Sequence, residues 1–159
     1  ISDSVLNAMR SGAVTPIQVT PDLQLAKFHI LHLLQQGQWN KAFHQALSAT
    51  NLEMVIFLCE NVSVSQVFEQ TPCPLHQAIL LSLIQQLSSN LESNTKLKRK
   101  FIEQAMVNLD KSDPVTQENV TGVICRLVQK INTFTEKHPN HKMNCQFKVL
   151  LMAAESLVR

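Results

Sequence analysis

The chain has 159 residues, 45% of them hydrophobic and 16% charged, with three glycines, six prolines, no tyrosine and a net charge of +2. About 100 to 200 residues usually build one core, and a disordered chain would carry fewer apolar and more charged side chains, so the composition describes one folded domain. Glycine and proline are too scarce for a sandwich, a barrel or a phosphate-cradling Rossmann unit, and a charge this small does not by itself announce nucleic acid.

Ser2 to Arg10 places Val5, Leu6 and Met9 on one helical face, and Gly12 stands where such a helix stops. A loop then runs through Pro16. Thr20-Pro21 predicts an N-cap with proline at the first helical position. The helix it opens carries Leu23, Leu25, Ala26, Phe28, Ile30, Leu31, Leu33 and Leu34 on more than one face, which predicts a central position. Gly37 ends it. Trp39, Ala42, Phe43, Ala46 and Leu47 then repeat at i, i+3, i+4, i+7 and i+8, the clearest amphipathic pattern in the chain. Thr50 with Glu53 predicts a capping box, in which each side chain bonds the other residue's backbone N–H, at the start of a helix through Val55, Ile56, Leu58 and Cys59.

Ser63 with Gln66 repeats the capping-box pattern, but the prolines at 72 and 74 limit the helix it opens to a turn or two. Between Leu75 and Leu91 a wide stripe of Ile79, Leu80, Leu83, Ile84, Leu87 and Leu91 predicts another buried helix, with Leu81 off the stripe. Asn94 to Leu109 aligns Leu97, Phe101, Ile102, Ala105 and Leu109, with Lys96, Lys98, Arg99 and Lys100 turned mostly the other way. Asp113-Pro114 caps a long helix carrying Val120, Val123, Ile124, Leu127, Ile131 and Phe134, which Pro139 breaks. A last helix from about Lys142 turns Met143, Phe147, Leu150, Leu151, Ala154 and Val158 inward.

Short connections between amphipathic helices imply antiparallel neighbours stacked in order. The expected fold is therefore all-α, about eight helices in an armadillo- or HEAT-like solenoid, with residues 1–21 as an N-terminal helix and loop and 22–159 as the stack. No apolar run approaches the roughly 18 residues that span a bilayer. Beginning at Ile1, the chain reads as a piece of a longer protein. Its cysteines, Cys59, Cys73, Cys125 and Cys145, lie far apart, and three sit in patterns that bury a free thiol, which suits a reducing cytosol or nucleus.

Chemistry finds little foothold. His29 and His32 share a helical face but lack further ligands, and His138, His141 and Cys145 resemble half a zinc site without a partnering Cys-x-x-Cys. Cys73 and His76 are close in sequence, yet the flanking prolines read as a rigid turn and nothing glycine-rich offers oxyanion donors. Lys96, Lys98, Arg99 and Lys100 are candidate RNA contacts, set against the ordinary reading of a solvated helix face, and no aromatic platform for bases accompanies them. Trp39 and Phe43 have core spacing, whereas Asn40, Lys41, His44 and Gln45 occupy the opposite side of their helix. Asn40, Lys41 and Gln45, with Arg126 and Lys130 on the long helix, are the candidate protein-binding surface.

The stretch from Leu33 to Leu47, including Gln38-Trp39-Asn40-Lys41-Ala42-Phe43, resembles the opening of the C-terminal domain of the metazoan enhancer-of-decapping scaffolds. The resemblance continues through Val67-Phe68, Gln70, Pro72-Cys73-Pro74-Leu75, Leu80 to Leu87 and Leu109 to Thr116. It implies a non-enzymatic, armadillo- and HEAT-like module of cytoplasmic mRNA turnover in processing bodies, with no cofactor and no catalytic residue. It also implies protein partners: the decapping enzyme, its activator and the five-prime exonuclease. Self-association in that family comes largely from upstream repeats, so this fragment is expected to be monomeric.

Overall fold

The computed structural model describes residues 15–49 and 51–159, with side chains from Asp22 onward. Among them are eight helices and no strand: α1 Thr15–Gln35, α2 Trp39–Ser48, α3 Leu52–Glu60, α4 Val64–Phe68, α5 Gln77–Ser88, α6 Thr95–Val107, α7 Pro114–Lys137 and α8 Asn144–Leu157. The segment predicted as a helix from Ser2 to Arg10 lies outside the described residues.

Leaving the short α4 aside, each helix packs on the next one or on the one after it: α1 on α2 and α3, α2 on α3 and α5, α3 on α5 and α6, α5 on α6 and α7, α6 on α8, and α7 on α8. Packing confined to near neighbours in the chain is the signature of an α-solenoid. Both α5 and α6 reach the earlier helices as well as the later ones, so the middle of the stack holds the core. Phe43, Leu58, Leu80, Leu83, Ile84, Leu87, Ile102 and Phe147 are all essentially inaccessible there. The stripe predicted for α5 is buried throughout; Leu81, off that stripe, is also buried but stands outside the main core cluster. None of the described helices is long and apolar enough to cross a membrane.

Local signals account for most boundaries. Asp113 accepts hydrogen bonds from the N–H groups of Val115 at 2.9 Å and Thr116 at 3.2 Å, with Pro114 at the first helical position of α7. Ser63 and Gln66 form the reciprocal capping box predicted for α4. At the end of α1, Gly37 adopts φ +70° while Gln38 N–H bonds Leu33 O and Gly37 N–H bonds Leu34 O, a Schellman turn that leads straight into α2. A Cβ at Gly37 would meet nothing within 4 Å, so only backbone strain opposes one. Gly37→Ala is expected to lower the unfolding free energy by about 1 kcal/mol, measured by urea titration.

The structure corrects several expectations. Helix α1 begins at Thr15 rather than after Thr20, because Pro16 fills the first-turn position that the local pattern gives to Pro21. Nor is α1 central: among the described residues its main packing is on α2 and α3, and Leu25 and Phe28 are about 70% exposed. The cap of α3 is Asn51, whose side chain accepts from Glu53 N–H at 2.8 Å, while Thr50, expected in that role, lies outside the described residues. Val158, expected inside, is exposed beyond the end of α8.

Candidate docking surfaces

The amphipathic pattern of α2 buries Ala42, Phe43, Ala46 and Leu47 and thereby turns Lys41 and His44 to solvent. Helix α1 lies alongside, and the two enclose an open groove of about 560 Å³ into which His29, Asn40, Lys41, His44 and Gln45 project. Its charged and titratable lining is Lys41, His29 and His44, with no carboxylate, so its sign is neutral to positive. Two of the predicted surface residues are partly committed to the fold. Asn40 Oδ1 accepts from His76 N–H at 2.8 Å, tying α2 to the entrance of α5, and Gln45 Nε2 donates to His29 Nδ1 at 2.8 Å across the groove. Lys41 takes part in no ion pair among the described residues and is the free cation of this groove.

Arg126 and Lys130, four residues apart on α7, are exposed and equally free of ion pairs among the described residues. Lys130 borders a small cleft of about 210 Å³ together with Thr133, Lys137, Asn90 and Glu92. The α2 and α7 groups do not form one patch: each helix packs on α5, and the two openings share no residue. A third opening, between α7 and α8, is apolar and about 550 Å³, lined by Ile124, Val128, Leu151 and Ala154.

The basic run on α6 is largely taken up by the fold. Lys98, expected on the solvent side, is 1% exposed; its ammonium donates to Asn90 O and to Ser93 Oγ, and burial pushes its pKa below the usual lysine value. It lies four residues before Ile102 and seven before Ala105, on the apolar face itself. Arg99 pairs with Glu103 at 2.9 Å. Only Lys96 and Lys100 remain as exposed cations of the proposed RNA set, one helical turn apart, and the RNA reading loses its footing with Lys98.

The histidine and cysteine candidates are also engaged elsewhere. His138 Nε2 meets Glu92 Oε1 at 2.7 Å, His141 Nδ1 accepts from Met143 N–H at 3.0 Å, and Phe134 packs against both rings. No group of three His, Cys, Asp or Glu side chains is placed to hold a metal ion among the described residues. Of the four free cysteines only Cys59 is fully buried; Cys73 is half-buried and Cys125 and Cys145 are exposed, which corrects the expectation of three buried thiols. Their helices are amphipathic, and these two thiols fall on the outer faces. Burial, with a smaller contribution from Glu60, pushes the Cys59 thiol far up, and burial raises Cys73 against the opposing hydrogen bond from the Leu75 backbone. Neither is poised as a thiolate nucleophile. The His76 ring, 3.3 Å from Asn40 Nδ2, is drawn to α2.

Comparison with known proteins bears on these surfaces. A family model described as "Enhancer of mRNA-decapping protein 4, C-terminal" matches residues 30–150. Enhancer of mRNA-decapping protein 4 of Danio rerio is 46% identical over 99% of this chain, and that of Homo sapiens 43% identical over 99%. The Drosophila melanogaster homolog is 36% identical over 92% of the chain. The chain spans only 10 to 12% of the length of these relatives. The crystal structure of the conserved C-terminal region of Ge-1 superposes with a TM-score of 0.76 at 32% identity, covering 83% of this chain and 98% of that one.

Proposed function

Because the chain belongs to the enhancer of mRNA-decapping protein 4 C-terminal family, we propose that it is a non-enzymatic interaction domain of a cytoplasmic decapping scaffold, docking decay factors and directing the scaffold to processing bodies. One observation carries the choice of surface. Lys41 and Arg126 are exposed, lie in no ion pair among the described residues, and stand on helices whose opposite faces are packed into the core. Their long side chains offer charge and reach without a structural duty, so substitution there separates binding from folding. The partners in this reading are the decapping enzyme, its activator and the five-prime exonuclease, held by protein contacts, with the isolated chain monomeric.

The test is capture from cell extract by the purified chain, as wild type, Lys41→Glu and Arg126→Glu, blotted for those three factors before and after nuclease treatment. Nuclease-resistant capture by the wild type, lost in a variant whose melting curve is unchanged, is the expected result. Capture that disappears with nuclease would replace protein docking by RNA-mediated association. Capture of none of the three by the wild type would overturn the reading.

A further inference from the structure

On a straight α-helix, steps of three and four residues keep side chains in one line. Along the solvent side of α7 such a line runs through Val115, Asn119, Gly122, Arg126, Lys130 and Lys137, and every one of them is exposed. The three cations span about 16 Å of helix axis, and none has an ion-pair partner among the described residues. Glu118 and Glu136 are exposed on one flank, roughly 80° round the helix from the line. The basic track is therefore narrow and edged by acid on that side.

Gly122 is the second observation. It sits in the interior of a helix of 24 residues, on the solvent side, and a Cβ built there would meet nothing within 4 Å. Unlike Gly37 it has no positive φ to satisfy. A glycine here is a poorer helix former than alanine, and nothing among the described residues requires it. A missing side chain does have one physical effect at such a place, which is to let another backbone come close.

Resting on the reading that this chain docks proteins, we propose that the outer face of α7 receives an acidic helical segment of a partner. Its carboxylates meet Arg126, Lys130 and Lys137, and its backbone crosses over Gly122. Carboxylates repeated at i, i+4 and i+11 on a partner helix match the spacing of the three cations. Glu118 and Glu136 repel a segment displaced toward their flank, which makes the contact selective for register as well as for charge.

The probe is a fluorescent alanine-based helical peptide with glutamates at i, i+4 and i+11, beside a peptide of equal composition with the glutamates shuffled off one face. Anisotropy titrations at low and at physiological ionic strength are run with wild type, the triple variant Arg126→Glu, Lys130→Glu and Lys137→Glu, and Gly122→Gln. The aligned peptide is expected to bind several-fold tighter than the shuffled one, and the triple reversal to weaken it by about tenfold or more. Gly122→Gln is expected to raise Tm by about 2 to 4 °C while weakening the peptide, a pairing that a structural role for Gly122 would not produce. Equal affinity for the two peptides, or binding indifferent to Gly122→Gln, overturns the proposal. So does tighter binding of an oligouridylate of equal charge, which would make the track a phosphate site, or a concentration-dependent dimer of the chain, read by sedimentation, that the triple reversal abolishes, which would make it a self-association face. If the peptide fails while extract capture survives the triple reversal, only this inference falls; if the wild type captures nothing from extract, the reading beneath it falls.

Discussion

Lys98→Ala is expected to lower the unfolding free energy by roughly 2 to 4 kcal/mol, although lysine is ordinarily a surface residue whose removal costs almost nothing. The side chain is 1% exposed and its ammonium is held by Asn90 O and Ser93 Oγ, so it closes the loop between α5 and α6 from beneath. Alanine removes the stem from a packed site and leaves the Asn90 carbonyl without its donor. Lys98→Met separates the two causes, because it keeps the volume and removes only the charge and its hydrogen bonds. Lys96→Ala and Lys100→Ala are the controls and should stay within about 0.5 kcal/mol of the wild type. The pH dependence has a definite sign. Burial lowers the folded-state pKa, so between that value and the ordinary lysine value of 10.5 the unfolded chain binds more protons, and this residue's contribution to stability rises with pH. Equilibrium denaturation of the wild type and the four variants at neutral and mildly alkaline pH reads both effects. A Lys98→Ala protein as stable as the two controls would put the ammonium in solvent.

Gln77→Ala should cost roughly 2 to 3 kcal/mol. This one amide joins three helices: Nε2 donates to Asn108 O at 3.1 Å, capping the end of α6, while Oε1 accepts from Asp110 N–H at 2.8 Å and from the hydroxyl of Thr116 at 2.6 Å on α7. Thr116 is fully buried, so truncating Gln77 strands its hydroxyl in the interior. Gln77→Glu tests the donor alone, since a carboxylate oxygen would then face the Asn108 carbonyl. Combining Gln77→Ala with Thr116→Val should cost less than the two changes separately, because each removes the same bond. Additive losses in urea denaturation would mean that the two residues act independently.

How far such features can be read from the residues depends on their range. Caps and stripes are local, and Asp113-Pro114, Ser63 with Gln66, and the face of Ala42, Phe43, Ala46 and Leu47 are where their spacing puts them. Lys98 goes against the expectation drawn from its charge: it falls on the line of Phe101, Ile102 and Ala105, and there position wins over charge. Gln77 leaves no trace in the sequence, because its partners lie 31 to 39 residues away and a single glutamine carries no periodicity. Helix α1 shows a different limit. Apolar residues on several faces say that a helix seeks cover, not which neighbour supplies it, and among the described residues α2 and α3 cover one side. Of the candidate surface, Lys41, Arg126 and Lys130 are exposed and in no ion pair among the described residues, whereas Asn40 and Gln45 are tied to His76 and His29, contacts that only the folded chain brings together.

Helices α2 and α7 are both seated on α5, one bearing Lys41 and the other Arg126. Their separation is therefore set by packed side chains and not by a floppy tether, and under the proposed docking reading the pair acts as a ruler. For a ligand carrying two short recognition segments, the local concentration of the second after the first has bound depends on how well the ligand's own spacer matches that distance. Weak individual grips can then add up to a long residence time for a partner of the right span, while partners with one segment, or with a spacer too short to bridge, exchange quickly. Discrimination of this kind needs no deep pocket, only a stiff middle.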